Sequence, residues 1–381
     1  MTKPIRLFVM AGEASGDRLG ADLVQRLRSK AQIEVIGVGG PELEAEGLTS
    51  LFPITDIAVM GWSDVLRRLP LLLWRLHQTV RAIIASRPDV VVLIDSQVFS
   101  TLVAKRIRKA GLTVPTLLYV APTVWAWKPE RAPALRGLFD EVLAVLPFEP
   151  AAMARLGGPP TSYVGHPALQ RHPMRQDQPA SGQLLLLPGS RAGELRRHLE
   201  LVRAVAERMA DHPSVSGFTI PTLPYLADRL RAETAQWQVP IEIVTGDART
   251  VAFQQAVAAF AVSGTITLEL AMSGVPMLVT YVGDQRQAVE FAKIGTPRIA
   301  LPNIVAGRQI VGEALFAEEP EPEIAVGALK DLLETPDAIA AQLRGFREIR
   351  ALMEKGAPEA PLQDPAERVL GLLDQRLLIG S

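Results

Sequence analysis

The sequence predicts an α/β protein built from two doubly wound, Rossmann-like domains. Three observations carry this expectation. Short β-branched apolar runs alternate with helical patterns along the chain. The run "PDVVVLID" is continuously apolar, as a parallel strand covered on both faces must be. The alternation stops after Pro167 in a polar stretch, "ALQRHPMRQDQPASGQ", and then restarts.

Taken in order, "IRLFVM" reads as the first strand, and Leu19, Leu23 and Leu27 share one face of the helix that follows. "IEVIGVGG", "PDVVVLID", "VPTLLYV" and "EVLAVLPF" are further strands of the first half. "LLLLPGS", "GFTIP", "IEIVTGD", "AAFAVSG", "PMLVTYV" and "RIALPN" are those of the second. The tail from about Ile324 to Leu378 reads as helical. The expected domains are 1–168, 169–345, and a helical tail, 346–381, packing back on the first domain or on a partner subunit. Ligands are expected beyond the carboxyl ends of the strands.

Composition narrows the classes. At 381 residues the chain has room for two ordinary domains, and 48% hydrophobic with 21% charged residues is a globular balance. It contains no cysteine, which excludes disulfides and cysteine metal sites and suits a reducing compartment. A formal net charge of −1 argues against a broad nucleic-acid surface. The start "MTKPIRLFVMAGE" enters a strand without a signal-peptide pattern, and no apolar run reaches the ~18 residues of a spanning helix.

The first strand leads into "GEASGD", a loop with glycines but without G-x-G-x-x-G spacing, and with two acids, Glu13 and Asp17. A phosphate loop would have no negative charge there. The clearer nucleotide-type features lie in the second half. In "LLLLPGSRAGELRRH", Gly189 and Ser190 allow a turn whose N–H groups face an anion, and Arg191 can hold a diphosphate; an ordinary strand–helix turn with a solvated Arg reads the same way. Ser263, Gly264 and Thr265 open a helix at a strand end, with Glu269 one turn further on to meet ribose hydroxyls, or simply to cap. Asn303 and Arg308 stand near another strand end. Three such features in one domain point to a nucleoside-diphosphate site.

In the first half, Asp95 ends the buried run and is a candidate general base; a helix cap is the plainer alternative. Trp125 and Trp127 in "YVAPTVWAWKPER" could wall a sugar or acyl pocket, or pack in the core. His166, just before the polar stretch, could contact a ligand across the cleft or satisfy a hinge carbonyl. In "GWSDVLRRLPLLLWRLHQTVRAII", Ser63 and Asp64 can cap a short helix that Pro70 interrupts. There Trp62, Leu66, Leu69, Leu72, Leu73 and Trp74, mixed with Arg67, Arg68 and Arg75, have the composition of an interfacial membrane segment; a core helix with a basic face is the alternative.

Nine ordered motifs, "GEASGD", "GVGGPELEAEG", "IAVMG", "YVAPTVWAWK", "LPFEP", "YVGHP", "LLPGSR", "SGTITLE" and "LPNIVAGR", resemble the lipid-A-disaccharide synthase family. The resemblance implies a GT-B fold, two Rossmann-like domains facing a central cleft. It implies a UDP-diacylglucosamine donor in the second domain, a diacylated glucosamine 1-phosphate acceptor at the first, and an inverting transfer that releases UDP. It implies no metal and no cofactor, the UDP-sugar being a substrate. It places family members peripherally on the inner face of the cytoplasmic membrane, on its surface lipids, and is compatible with a homodimer. Asp95 matches the Asp of the family's "IDxPDF" and Arg191 the Arg of "PGSR"; both are expected to be needed for activity. The acids of the first loop, Glu13 and Asp17, would then face sugar hydroxyls or help deprotonate one.

The chain departs from that pattern in "IDSQVFS", where Gln97, Val98 and Ser100 replace the expected residues. Two alternatives stay open at this level: a UDP-N-acetylglucosamine 2-epimerase or hydrolase, and a diverged, non-catalytic membrane-associated paralogue.

Overall fold

Every strand of the two large sheets runs parallel to its neighbours. The computed structural model describes residues 3–58, 62–126, 128–283, 298–316, 319–335 and 337–379, the side chains of 62–65 and 376–379 apart. The chain forms two compact units, Met1–His166 with Met353–Ser381, and Pro167–Leu352.

The first unit begins with β1 (Ile5–Ala11), α1 (Ala14–Arg28), β2 (Ile33–Val38), α2 (Pro41–Ala45) and α3 (Trp62–Ser86). It continues with β3 (Val90–Ile94), α4 (Gln97–Lys109), β4 (Thr116–Tyr119), α5 (Arg131–Ala134), β5 (Glu141–Ala144), α6 (Glu149–Arg155) and β6 (Thr161–Tyr163). The sheet order is β2-β1-β3-β4-β5-β6. Every residue of β3 is buried, which is why its sequence is apolar without alternation. Helices α3 and α4 cover one face through Leu76, Val80, Ile83, Val103 and Ile107 against Val91, Leu93 and Leu118.

Pro70 was expected to interrupt the helical pattern, but α3 runs through it for 25 residues. Its missing N–H would have met the carbonyl of Leu66, and both residues are exposed, so water can satisfy that carbonyl while the later turns bury their inner face.

The C-terminal segment belongs to this unit. The Tyr163 hydroxyl donates to the Met353 carbonyl at 2.6 Å, Arg368 pairs with the buried Glu141 at 2.8 Å, and Arg26 pairs with Asp364 at 3.1 Å. Removing Arg368 would leave the Glu141 carboxylate, 2% exposed, without its cation.

The second unit holds α7 (Ala168–Arg171), β7 (Gly182–Leu187), α8 (Ala192–Met209), β8 (Val215–Pro221), α9 (Pro224–Thr234), β9 (Ile241–Val244), α10 (Ala248–Gln255), β10 (Ala256–Val262), α11 (Thr265–Ser273), β11 (Met277–Val282) and β12 (Gly312–Phe316). Its order is β12-β11-β10-β7-β8-β9. "RIALPN", read as a strand, is instead the entry to the helix Leu301–Ala306. The N–H groups of Ile299 and Ala300 donate to the Glu313 carboxylate rather than to a strand, and Pro302 sits in the first helical turn. The sixth strand is β12, "GEALF".

In each sheet the winding reverses once. After β2 the chain returns to the other side of β1 to lay down β3; after β9 it returns beside β7 to lay down β10. The crevices beyond the carboxyl ends of β1/β3 and β7/β10 are therefore where each sheet leaves room for a ligand.

Candidate active site

At the first reversal point, the loop after β1 meets the loop after β3. Asp95 and Ser96 both adopt left-handed backbone, φ +57° and +42°, and Val120 after the neighbouring β4 has φ +77°. Such conformations in non-glycine residues cost energy and gather where the fold holds a side chain for a purpose. The surroundings enforce them: Asp95 N–H donates to the Tyr119 carbonyl at 2.9 Å, and the Ser100 hydroxyl donates to the Asp95 carbonyl at 2.7 Å. Gly12 lies against Ser96 so closely that a Cβ on it would fall 2.1 Å from the Ser96 Cβ.

Burial pushes the Asp95 carboxyl up from the ordinary aspartate value, and the Ser96 N–H, 2.9 Å from Oδ1, offsets part of that rise. Glu13, half-buried, precedes α1 in the same crevice. Asp17 has a different role from the one expected. It is 1% exposed, and its carboxylate accepts the N–H groups of Gly40, Glu42 and Leu43 at 2.7, 3.0 and 3.2 Å. It neutralises the start of α2 and, at that burial, is closed off from a substrate hydroxyl.

Trp125 follows β4 and packs edge-on against Phe148, centroids 5.1 Å apart. Its indole N–H points at the carboxylate of Glu149, 3.4 Å away, which also accepts from the N–H groups of Val145 and Leu146 at 3.1 and 3.0 Å. Full burial pushes Glu149 up to about 7, against those three donors. Glu149 was not singled out from the sequence, although it stands in the quoted "LPFEP". Trp127 and the Trp62 side chain lie outside the described residues, and His166 is half-buried at the end of the first unit.

In the second unit, Gly189, Ser190 and Arg191 form the turn from β7 to α8. Gly189 has φ +97°, and a Cβ there would lie 2.6 Å from Glu194 Oε2. That same oxygen accepts the N–H groups of Ser190 and Arg191 at 3.1 and 3.2 Å, while Arg191 Nη1 is 3.0 Å from Glu194 Oε1. The turn thus has the anion preference read from the sequence, and the protein's own carboxylate meets it. The Arg191 side chain is 64% exposed. His198, one turn along α8, accepts the Val282 N–H at Nε2 (2.9 Å), so its proton lies on Nδ1, 2.7 Å from the Glu194 carbonyl. Burial lowers its pKa and keeps it neutral, tying α8 to the end of β11.

Just after the adjacent β10, Ser263 spends its hydroxyl on the Ile299 carbonyl at 2.6 Å, while Gly264 and Thr265 are exposed at the start of α11. Glu269 is half-buried, 3.4 Å from Arg249 and 3.7 Å from His172. Burial, aided by Arg249 and Arg171, lowers His172 to about 4, so at neutral pH only the arginine contact is ionic. Asn303 is consumed by the fold: it donates to the Val311 carbonyl and Glu313 and accepts from Ile310 and Val311. The expectation that it meets a ligand is corrected accordingly. Arg308 is exposed and pairs with Glu348. Among the described residues no group of three acids or histidines could hold a metal ion.

On α3, Leu66, Leu69, Leu73 and Trp74 are exposed, at 42–65%. Leu72 is partly buried against the core. Arg75 faces inward as well, 2.6 Å from Asp56, with its guanidinium 4.0 Å over Trp74 and 4.7 Å over Phe52. Of the three arginines expected at a lipid surface it is the one drawn inward; Arg67 and Arg68 are exposed, although Arg68 donates to the Thr55 carbonyl. No described helix is long and apolar enough to cross a membrane.

Comparison with known proteins adds the context. A family model described as lipid-A-disaccharide synthetase matches residues 7–363. Lipid-A-disaccharide synthases of Nitrobacter hamburgensis and Rhodopseudomonas palustris are 39% and 40% identical, covering 96% and 97% of this chain and 95% and 96% of their own lengths. Among solved structures, a UDP-GlcNAc 2-epimerase from Neisseria meningitidis bound to UDP-GlcNAc aligns over 99% of this chain and all of that one, with TM-score 0.59 at 13% identity. The calicheamicin glycosyltransferase CalG4 aligns over 98% and 99%, with TM-score 0.57 at 17% identity. At those identities the likeness is one of fold: the paired doubly wound sheets shared by GT-B glycosyltransferases and these epimerases.

Proposed function

Since this chain belongs to the lipid-A-disaccharide synthase family, we propose a division of labour among its residues for the glycosyl transfer it catalyses. The enzyme is a hexosyltransferase that condenses UDP-2,3-diacylglucosamine with 2,3-diacylglucosamine 1-phosphate, forming the β-1,6-linked disaccharide 1-phosphate and UDP. The acceptor hydroxyl oxygen forms the new bond to the anomeric carbon, and UDP departs with the electron pair of the bond that breaks.

Asp95 is the base that takes the hydroxyl proton. The observation that carries this assignment is its strained, partly desolvated position at the reversal point of the first sheet, which raises its proton affinity. Glu13, in the same crevice, orients the sugar. In the second unit the exposed Arg191 side chain meets the charge that develops on the departing diphosphate, while Glu194 holds the Gly189–Arg191 turn that presents it. The start of α11, at Gly264 and Thr265, supports the phosphates, and Glu269 accepts from ribose hydroxyls. Ser263, whose hydroxyl and N–H are both engaged, shapes the turn into α11, and Arg308 stays at the margin of the donor site.

The exposed face of α3 supports peripheral attachment to the inner face of the cytoplasmic membrane, because both substrates carry acyl chains. The epimerase alternative rests on fold likeness at 13% identity, whereas the synthases match at about three times that over nearly the whole chain. A product assay with both diacylated substrates tests the reading. Disaccharide 1-phosphate with one UDP released per bond is expected; UDP release without an acceptor, or no turnover, would refute it.

A further inference from the structure

The polar stretch after Pro167, which reads as a linker, is fastened along its length to the second unit. Arg350, from the helix Ala338–Lys355, donates to the carbonyls of Leu169 and His172 at 3.2 and 2.9 Å, and to that of Met272 in α11 at 3.1 Å. The Arg175 N–H donates to the Ser273 carbonyl at 3.2 Å, and its guanidinium donates to the Ala256 carbonyl. Gln178 donates to the Val257 carbonyl at 2.9 Å. A flexible tether would need none of these contacts.

What the fastening presents is His172. It ends α7, with φ −120° and ψ 82°, because Pro173 disfavours helical backbone in the residue before it. Its side chain is 14% exposed. The ring stacks on Phe253 of α10, with centroids 5.7 Å apart. Nε2 stands 3.7 Å from Oε2 of Glu269 on α11, the same oxygen that Arg249 Nη2 approaches at 3.4 Å. Among the described residues Nδ1 is buried with no hydrogen-bond partner. The ring is neutral at neutral pH, so we assign its single proton to Nε2, where the carboxylate attracts it. The distance is too long for a hydrogen bond, but it leaves a half-buried N–H dipole directed at a charge.

Burying an imidazole with one nitrogen unpaired costs stability, and a hydrocarbon ring would fill the place without that cost. What a hydrocarbon ring could not supply is the N–H beside Glu269. We propose that His172 is a positioning residue for the donor: together with Arg249 it holds the Glu269 carboxylate in the orientation that accepts from the ribose hydroxyls, so the segment between the two units takes part in donor recognition. The inference rests on the ribose role of Glu269.

The test is isothermal titration of UDP, and of 2′,3′-dideoxy-UDP, which lacks both ribose hydroxyls, into the full-length protein and its variants. Glu269→Gln should weaken UDP and hardly change the dideoxy analogue. His172→Phe keeps a ring to stack on Phe253 but has no N–H; it should weaken UDP about three- to tenfold and leave the analogue within about twofold. Added to Glu269→Gln, it should weaken UDP by no more than about a further twofold, because the contact it removes is already gone. Thermal melts accompany each titration, and His172→Leu, smaller than the ring, gives the same reading if Phe is not accommodated. If the His172 variants bind UDP like the wild type while Glu269→Gln weakens it, the positioning role is overturned and the ribose role stands. Equal loss of UDP and the analogue in the His172 variants overturns it in the same way. Unchanged UDP affinity in Glu269→Gln would instead remove the ribose role, and this inference with it.

Discussion

Gly12 packs so closely on the Ser96 side chain that there is no room for a second one, a Cβ on Gly12 falling 2.1 Å from that of Ser96. This contact joins the ends of β1 and β3 and holds the left-handed backbone on which Asp95 sits. Gly12→Ala should therefore destabilise the protein by about 1–3 kcal/mol, as overpacking does, and reduce turnover more than the lost stability explains. Ser96→Gly removes both the opposing Cβ and the left-handed strain. The double variant should recover most of the stability by thermal denaturation. Failure to recover would mean that the clash is not what limits Gly12.

Asp95→Asn keeps the shape of the side chain and removes its basicity. Turnover should fall by roughly 10²-fold or more with UDP affinity hardly changed. Steady-state kinetics beside a UDP titration measures both. Wild-type turnover would transfer the base role to Glu13, because Asp17 is closed off by three backbone donors.

The donor side separates into two effects. Arg191→Ala should lower turnover more than UDP affinity, since its charge meets the departing diphosphate. Glu269→Gln should instead weaken UDP itself by weakening the ribose contact. Isothermal titration of UDP into the two variants distinguishes them, and unchanged UDP affinity in Glu269→Gln would contradict the ribose role.

Glu149 gives a pH signature. Its carboxyl is raised to about 7 in the folded protein, so the folded state holds a proton that the unfolded state releases near 4.5. Its contribution is thus fully present below about pH 4.5 and declines as pH rises to about 7, by an amount on the order of 3 kcal/mol at ~1.4 per unit. Glu149→Gln cannot ionise, so the wild type should lose stability relative to this variant across that window. Parallel melting curves from pH 4.5 to 8 would show that the carboxyl titrates normally.

The outer face of α3 should bind anionic vesicles. Replacing Leu66, Leu69 and Leu73, all exposed, with Ser should release the protein from vesicles without unfolding it, because each buried leucine is worth about 1.5–3 kcal/mol at a lipid boundary. High salt alone should release only a part, leaving the apolar contribution. Cosedimentation together with a thermal melt reads the result; a folded triple variant that still binds would place attachment elsewhere.

By itself the sequence determined the architecture. Runs such as Val90–Ile94 are apolar on both faces, and only a strand inside a covered parallel sheet can bury them so. The break after Pro167 and the renewed alternation separated the two sheets, and Asp95 and the Gly189–Arg191 turn were legible as strand-end residues. Tertiary structure decided which polar side chains remain available. Asp17 is spent on Gly40, Glu42 and Leu43, Asn303 on the Ile310–Glu313 segment, and Arg75 on Asp56, while the unremarked Glu149 braces Trp125 from inside the core. Strand and helix periodicity is a local, one-dimensional signal. A carboxylate or amide is consumed by groups that packing brings to it, backbone or side chain, some of them 20 residues or more away along the chain, and no local pattern records that meeting.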